Sequence, residues 1–126
     1  MTTRFKILVL GGTGIFGGRI CQRLSRAANL QVIVAGRSRS KIDACLAHLH
    51  RMNAAADVDG YVLTLPDTLA QALLETGAQL VINACGPFQG QDTEIAETCI
   101  HHGVDYIDIA DDRDFVCGID RLNQAA

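Results

Sequence analysis

The sequence predicts an α/β fold: a doubly wound parallel sheet of five strands, six at most, in the order 3-2-1-4-5 with helices on both faces. Three observations carry this. Short runs rich in β-branched residues alternate with segments of helical period. The runs are apolar at consecutive positions, as strands covered on both faces must be. Glycines crowd the turn after the first run, in "VLGGTGIFGGRI" (9–20). Strands that alternate with helices build parallel sheets through right-handed crossovers, and 126 residues supply one domain, 1–126.

The first strand is "FKILVL" (5–10). After the glycines, Ile15, Ile20, Leu24 and Ala27 mark one side of a helix. "QVIVA" (31–35) is the second strand, and Ser38 or Ser40 caps a helix in which Ile42, Cys45, Leu46 and Leu49 follow the i, i+3, i+4, i+7 pattern. "YVLTL" (61–65) reads as the third strand, although "AAADVDG" before it leaves its start open. Pro66-Asp67 opens a helix with Leu69, Ala72 and Leu73 on one face, Asp67 as its N-cap and Gly77 beyond its end. "QLVINAC" (79–85) is the fourth strand. "DTEIAETCIHHG" (92–103) is a helix with Ile95, Ala96, Cys99 and Ile100 inward, and His101 and His102 lie at the negative end of its dipole. "VDYIDIA" (104–110) is the fifth strand, and "RDFVCGIDRLNQAA" starts another helix.

Composition removes several classes of function. A formal charge of −3 disfavours a broad nucleic-acid or anionic-membrane surface. The apolar run near the start is cut by glycine, and no stretch reaches the roughly 18 apolar residues of a membrane span. Five scattered cysteines with no C-x-x-C pair indicate a reduced, cytoplasmic protein. The histidines come as His48/His50 and His101/His102 without ligand-spaced partners, so no metal site is expected.

Chemistry enters at the glycine turn. Gly12-Thr13-Gly14-Ile15-Phe16-Gly17 satisfies G-x-G-x-x-G, and Gly11, Gly14 and Gly17 also give G-x-x-G-x-x-G. Such a turn between a strand and a helix lets a pyrophosphate approach the backbone, with the helix N-terminus donating amides. This is the dinucleotide-binding arrangement of a Rossmann-like sheet. Gly12, Gly14 and Gly17 are assigned to that turn, and Gly11 and Gly18 to packing. A P-loop is excluded because no Gly-Lys-Ser/Thr follows.

An NAD site usually carries an acid after strand two for the ribose 2′-hydroxyl. Here "AGRSRSK" offers Gly36, Arg37, Ser38, Arg39 and Lys41, with no acid before Asp43. A guanidinium with a hydroxyl binds a 2′-phosphate that a carboxylate would repel. NADP (NADPH) is therefore expected in preference to NAD, with Arg37 the leading contact, then Ser38, then Lys41 or Arg39. Topology places Gly36-Arg37, Leu65-Pro66, Cys85-Gly86-Pro87 and Ala110-Asp111 on one rim with the glycine turn. Asn83, Ala84, Cys85 and Gly86 complete the candidate cofactor set. Asp108 and Asp111 fall where substrate or nicotinamide would sit, or serve only as loop and cap residues.

With "VLGGTGIFGG", "VAGRSRSK", "VINACGPF" and "GVDYIDIADDRDF" in order, the chain resembles the N-terminal NADP-binding domain of the saccharopine dehydrogenase-like family. The resemblance spans nearly the whole chain. It implies a second domain for substrate and dimerisation, hence a homodimer, and NADPH-dependent reduction of imines or related groups on a small-molecule substrate. On that reading the chain is an N-terminal fragment, inactive alone, whose catalytic residues are unknown. Ala110-Asp111-Asp112-Arg113 departs from the Ser/Thr-Gly-Glu-like turn common in the family. The alternative is a non-enzymatic NADP-sensing regulator related to atypical short-chain dehydrogenases. An autonomous short-chain dehydrogenase needs Tyr-x-x-x-Lys, but Tyr61 and Tyr106 are followed at that spacing by Leu65 and Ala110. Arg37 also speaks against a methyltransferase, which would want an acid there for the ribose.

Overall fold

The computed structural model describes residues 4–65, 67–85 and 92–108. Its centre is strand β1, Phe5–Leu10, whose alternate side chains serve two cores. Ile7 and Val9 point to one face, where they join Cys21, Val32, Val34, Ile42 and Leu49. Leu8 and Leu10 point to the other, with Ile33, Ala35, Leu69, Leu73 and Cys99. Each core needs its own helical cover, and the chain supplies two helices per face.

Helices α1 (Ile15–Leu24) and α2 (Arg39–Arg51) cover the first face, on either side of β2 (Leu30–Gly36) in sequence. Helices α3 (Leu69–Thr76) and α4 (Asp92–His101) cover the second. With β3 (Asp57–Val62), β4 (Leu80–Asn83) and β5 (Asp105–Asp108), the sheet order is β3-β2-β1-β4-β5 and every pair is parallel. The expected doubly wound fold is present. The order turns back between β2–β1 and β4, which opens the crevice at the strands' carboxyl ends.

Three local expectations are corrected. The third strand is 57–62 and not 61–65. As an edge strand it alternates, with Asp57 and Asp59 exposed while Val58 and Gly60 turn toward α2, so it lacks the continuous apolar run of a buried strand. Gly60 lets α2 close on the sheet, since a Cβ there would lie 2.5 Å from Ile42 Cγ2. Leu63 N–H still bonds Gly36 O at 2.9 Å, and then the chain turns away.

The N-cap of α3 is Thr68, not Asp67. Its hydroxyl accepts from Thr64 N at 2.8 Å, closing the turn before the helix. Ile15 does not belong to the buried side of α1: it is 77% exposed, and Gly17 and Cys21 are the helix's buried residues.

Several expected caps and buried helix positions stand. Ser38 caps α2, accepting from Lys41 N. Gly77 ends α3 at φ +67°. Ile95, Ala96 and Cys99 are buried on α4, and both histidines at its end are exposed, with His102 Nδ1 2.9 Å from Thr98 O. Among the described residues no helix is long and apolar enough to cross a membrane. Nor does any group of three or more His, Cys, Asp or Glu there form a metal-binding cluster. Gly86, Pro87, Ala110, Asp111 and the segment from Arg113 onward lie outside the described residues.

Candidate functional site

Beyond Leu10 the backbone must reverse into α1 within a few residues. Gly11 does this at φ +73°, a region that L side chains avoid. A side chain would also have no room there, because its Cβ would fall 3.0 Å from Cys85 N and 3.1 Å from Ala84 C. Gly11 O accepts from Gly14 N at 3.0 Å, and a Cβ on Gly17 would lie 2.0 Å from that same oxygen. Helix α1 therefore sits directly on the turn. Gly12 is buried, donates to Ala35 O at 3.3 Å, and would press a Cβ within 3.0 Å of Val34 Cγ1.

This revises the division of labour among the glycines. Gly11 carries the left-handed turn and Gly12 the tight packing, the reverse of the sequence assignment. Gly14 is the informative one. It is exposed, and a Cβ there would meet only Gly11 O, at an ordinary 3.4 Å. The protein's own packing does not require glycine at this position, which keeps the backbone bare toward the crevice. Gly14 is also the N-cap of α1 and has no side chain to accept from the first-turn amides; the first turn holds no acid. Its amides are left for an anion from outside.

The crevice has a volume of about 690 Å³, within the size range of cofactor clefts. The glycine turn forms its floor, with Thr13, Gly14, Ile15 and Phe16 lining it. Ile15 and Phe16, though apolar, are exposed beside it. Gly36 and Arg37 enter from the end of β2, Leu63 and Leu65 from beyond β3, and Ala84 and Cys85 from beyond β4. Within the described residues, the rim expected from topology assembles. Leu63 was hidden by the misplaced third strand, and Gly11 by its assignment to packing; the second glycine pattern was the signal for it.

Ion pairing sets Arg37 apart from Arg39. The two salt bridges among the described residues join Arg4 to Asp57 and Arg39 to Asp43, the latter at 3.1 Å within α2. Arg37 is exposed at the crevice and takes part in neither. Ser38 and Lys41 do not line the crevice; they flank it at the start of α2. The Ser38 hydroxyl accepts from Lys41 N at 3.4 Å and lies 3.1 Å from Ser40 Oγ. An accepting hydroxyl retains a proton to donate.

Asn83 sits behind the rim. Fully buried, it donates to Tyr106 Oη at 2.9 Å and accepts from Cys85 N at 3.1 Å. It ties β4 to β5 and fixes the backbone against which Gly11 packs. Ala84 N–H, bonded to Leu10 O at 2.9 Å, continues the ladder from β1.

The residues present fit a dinucleotide: bare backbone and helix amides for a diphosphate, a cation beyond β2 with no ion pair among the described residues, and an apolar wall at Leu63 and Leu65. The sequence profile described as the saccharopine dehydrogenase NADP binding domain matches residues 7–121. A carboxyaminopropylagmatine dehydrogenase from Synechocystis is 28% identical over 107 residues, covering 83% of this chain and 25% of the relative. A trans-acting enoyl reductase from Mycobacterium ulcerans is 30% identical over 109 residues, again covering 83% and 25%. The chain thus spans about a quarter of the length of these curated relatives. Among solved structures, an actinorhodin polyketide ketoreductase with NADPH superposes with a TM-score of 0.54 at 25% identity, covering 69% of this chain and 36% of that one. Two oxidoreductase relatives and an NADPH-bound neighbour support the oxidoreductase reading over the regulator.

Proposed function

The chain belongs to the saccharopine dehydrogenase NADP-binding domain family, and from that premise we propose that it holds NADP(H) in preference to NAD(H) for an oxidoreductase whose substrate is bound elsewhere in the parent protein. The observation that carries the preference is Arg37: the position after β2 brings to the crevice an arginine with no ion pair among the described residues, where NAD sites place a carboxylate. In this reading the first-turn amides of α1 and the bare backbone at Gly14 hold the diphosphate. Thr13 and the exposed Ile15 and Phe16 flank it. Arg37 grips the 2′-phosphate with help from Ser38 and Lys41, and Gly36 lets the ribose approach. Leu63 and Leu65 form the apolar wall of the adenosine side.

On the far side of β1, Ala84 and Cys85 border the reactive end, with Gly86 following them and Asn83 fixing their backbone. The cofactor, when bound, supplies or accepts the hydride, and the protein's part is to orient it and keep one face open to substrate. Reduction of an imine or a related double bond suits the resemblance and the names of the relatives. A second domain would complete the substrate site and a homodimer.

Titration of the chain with NADPH and NADH in parallel tests the reading. NADPH should bind more tightly, and Arg37→Ala should reduce the NADPH/NADH affinity ratio about ten- to a hundredfold, the worth of a hydrogen bond to a charged group. Equal affinities in the unmodified chain would overturn the preference.

A further inference from the structure

Two cysteines from different helices meet behind the glycine turn, at Gly12, which does not line the crevice. Cys21 lies on α1 and Cys45 on α2. Cys45 Sγ is 3.8 Å from Gly12 O and donates to it. Cys21 Sγ is 3.4 Å from the place where a Cβ on Gly12 would be. Both thiols thus flank Gly12, close enough for each to shift the other's acidity. One residue on, the same pair of helices touches again, with Gln22 Nε2 3.1 Å from His48 Nε2.

The two sulfurs are unequal. Cys21 is fully buried, and its thiol is pushed far up by the neighbouring Cys45 and by burial. Cys45 is half-buried, and the neighbouring Cys21 lowers its thiol to about 7. A half-exposed thiolate attacks, and a buried neighbour resolves.

We infer that Cys21 and Cys45 form a thiol–disulfide exchange site for low-molecular-weight disulfides, and that closing it distorts the dinucleotide turn. The Cys45 thiolate attacks one sulfur of the incoming disulfide. A mixed S–S bond forms, the original one breaks, and the departing thiolate takes up the proton that Cys45 released. Cys21 then gives up its proton as its sulfur attacks Cys45 Sγ and expels the second small thiol. Two protein thiols are oxidised and one small disulfide is reduced to two thiols. The new bond draws both sulfurs together beside Gly12 and takes from Gly12 O its S–H donor. The turn has little room to yield, since Gly11 already rests on the 84–85 backbone.

The effect on the cofactor rests on the NADP(H) reading above, but the cross-link does not, so the experiment reads them separately. The chain is treated with oxidised glutathione, digested without reductant and mapped by mass spectrometry. A peptide joining Cys21 to Cys45 is expected, and Cys21→Ser should instead retain one glutathionyl group on Cys45. NADPH affinity of the oxidised chain should fall about tenfold, as for one misaligned hydrogen bond to a charged group, and return with dithiothreitol. Cys45→Ser should keep its affinity through the same treatment. Absence of the cross-linked peptide would overturn the site, and a cross-linked chain that binds NADPH as before would overturn its effect on the turn. A reduced chain that binds no NADPH would instead count against the cofactor reading.

Discussion

Gly17 and Gly18 are adjacent, both helical and both glycine, yet they face different surroundings. A Cβ on Gly17 would overlap Gly11 O at 2.0 Å, and that oxygen is backbone, so the turn itself would have to move. A Cβ on Gly18 meets Gly12 O at a comfortable 3.8 Å. Gly17→Ala should therefore destabilise the chain by about 3 kcal/mol, at the high end for overpacking. Gly18→Ala should gain up to about 1 kcal/mol from helix propensity. Urea denaturation of the two variants reads the contrast directly. The sequence pattern assigns Gly17 to the turn and Gly18 to packing, whereas the close packing contact belongs to Gly17, because the difference depends on where Gly11 O points. Arg37 was legible for the opposite reason: its meaning lies in its offset from the glycine turn and in the missing acid, both readable along the chain.

At the scale of elements, the third strand was the hardest to read. β1 and β2 are covered on both faces and show as apolar runs, whereas β3 has a free edge, two exposed aspartates and a glycine pressed against Ile42. Its polar alternation resembled a loop, and the apolar "YVLTL" next to it drew the boundary too late. What holds this strand to α3 is a contact between distant positions, Tyr61 Oη donating to a Glu75 carboxylate oxygen. Glu75 also accepts from Gln71 at 2.8 Å. The bond from Tyr61, with the one from Gln71, holds the Glu75 carboxyl below the usual carboxylate range, and the Tyr61 phenol is pushed above its ordinary value, chiefly by that same bond.

The signs follow from each shift. The lowered Glu75 adds stability that is lost as pH falls through its folded-state value. The raised Tyr61 adds stability that is lost as pH rises through its own. Thermal melts of Tyr61→Phe and the unmodified chain should thus differ most between those limits and converge at both extremes. Ultraviolet titration should also show one of the two tyrosines ionising at lower pH in Glu75→Gln.

Across the whole molecule, alternation of strands and helices was enough to give the strand order, because right-handed crossovers leave few ways to arrange it. The rim followed from that order, and the crevice indeed gathers residues from the ends of β1, β2 and β4 and from beyond β3. Less visible was how those ends are joined. Gly11 rests against Ala84 and Cys85, and Asn83 ties that stretch to Tyr106 on β5. These contacts link segments far apart in sequence, and such contacts form late, after the entropy of closing long loops has been met. The dinucleotide turn can be local in sequence and still not acquire its native shape until β4 has docked. A ligand of that turn then stabilises the finished structure more than the folding transition state. NADPH should slow unfolding in stopped-flow measurements while leaving the refolding rate nearly unchanged. The turn that greets the cofactor would be among the last parts of the chain to fold and, once occupied, the part that sets how long the fold survives.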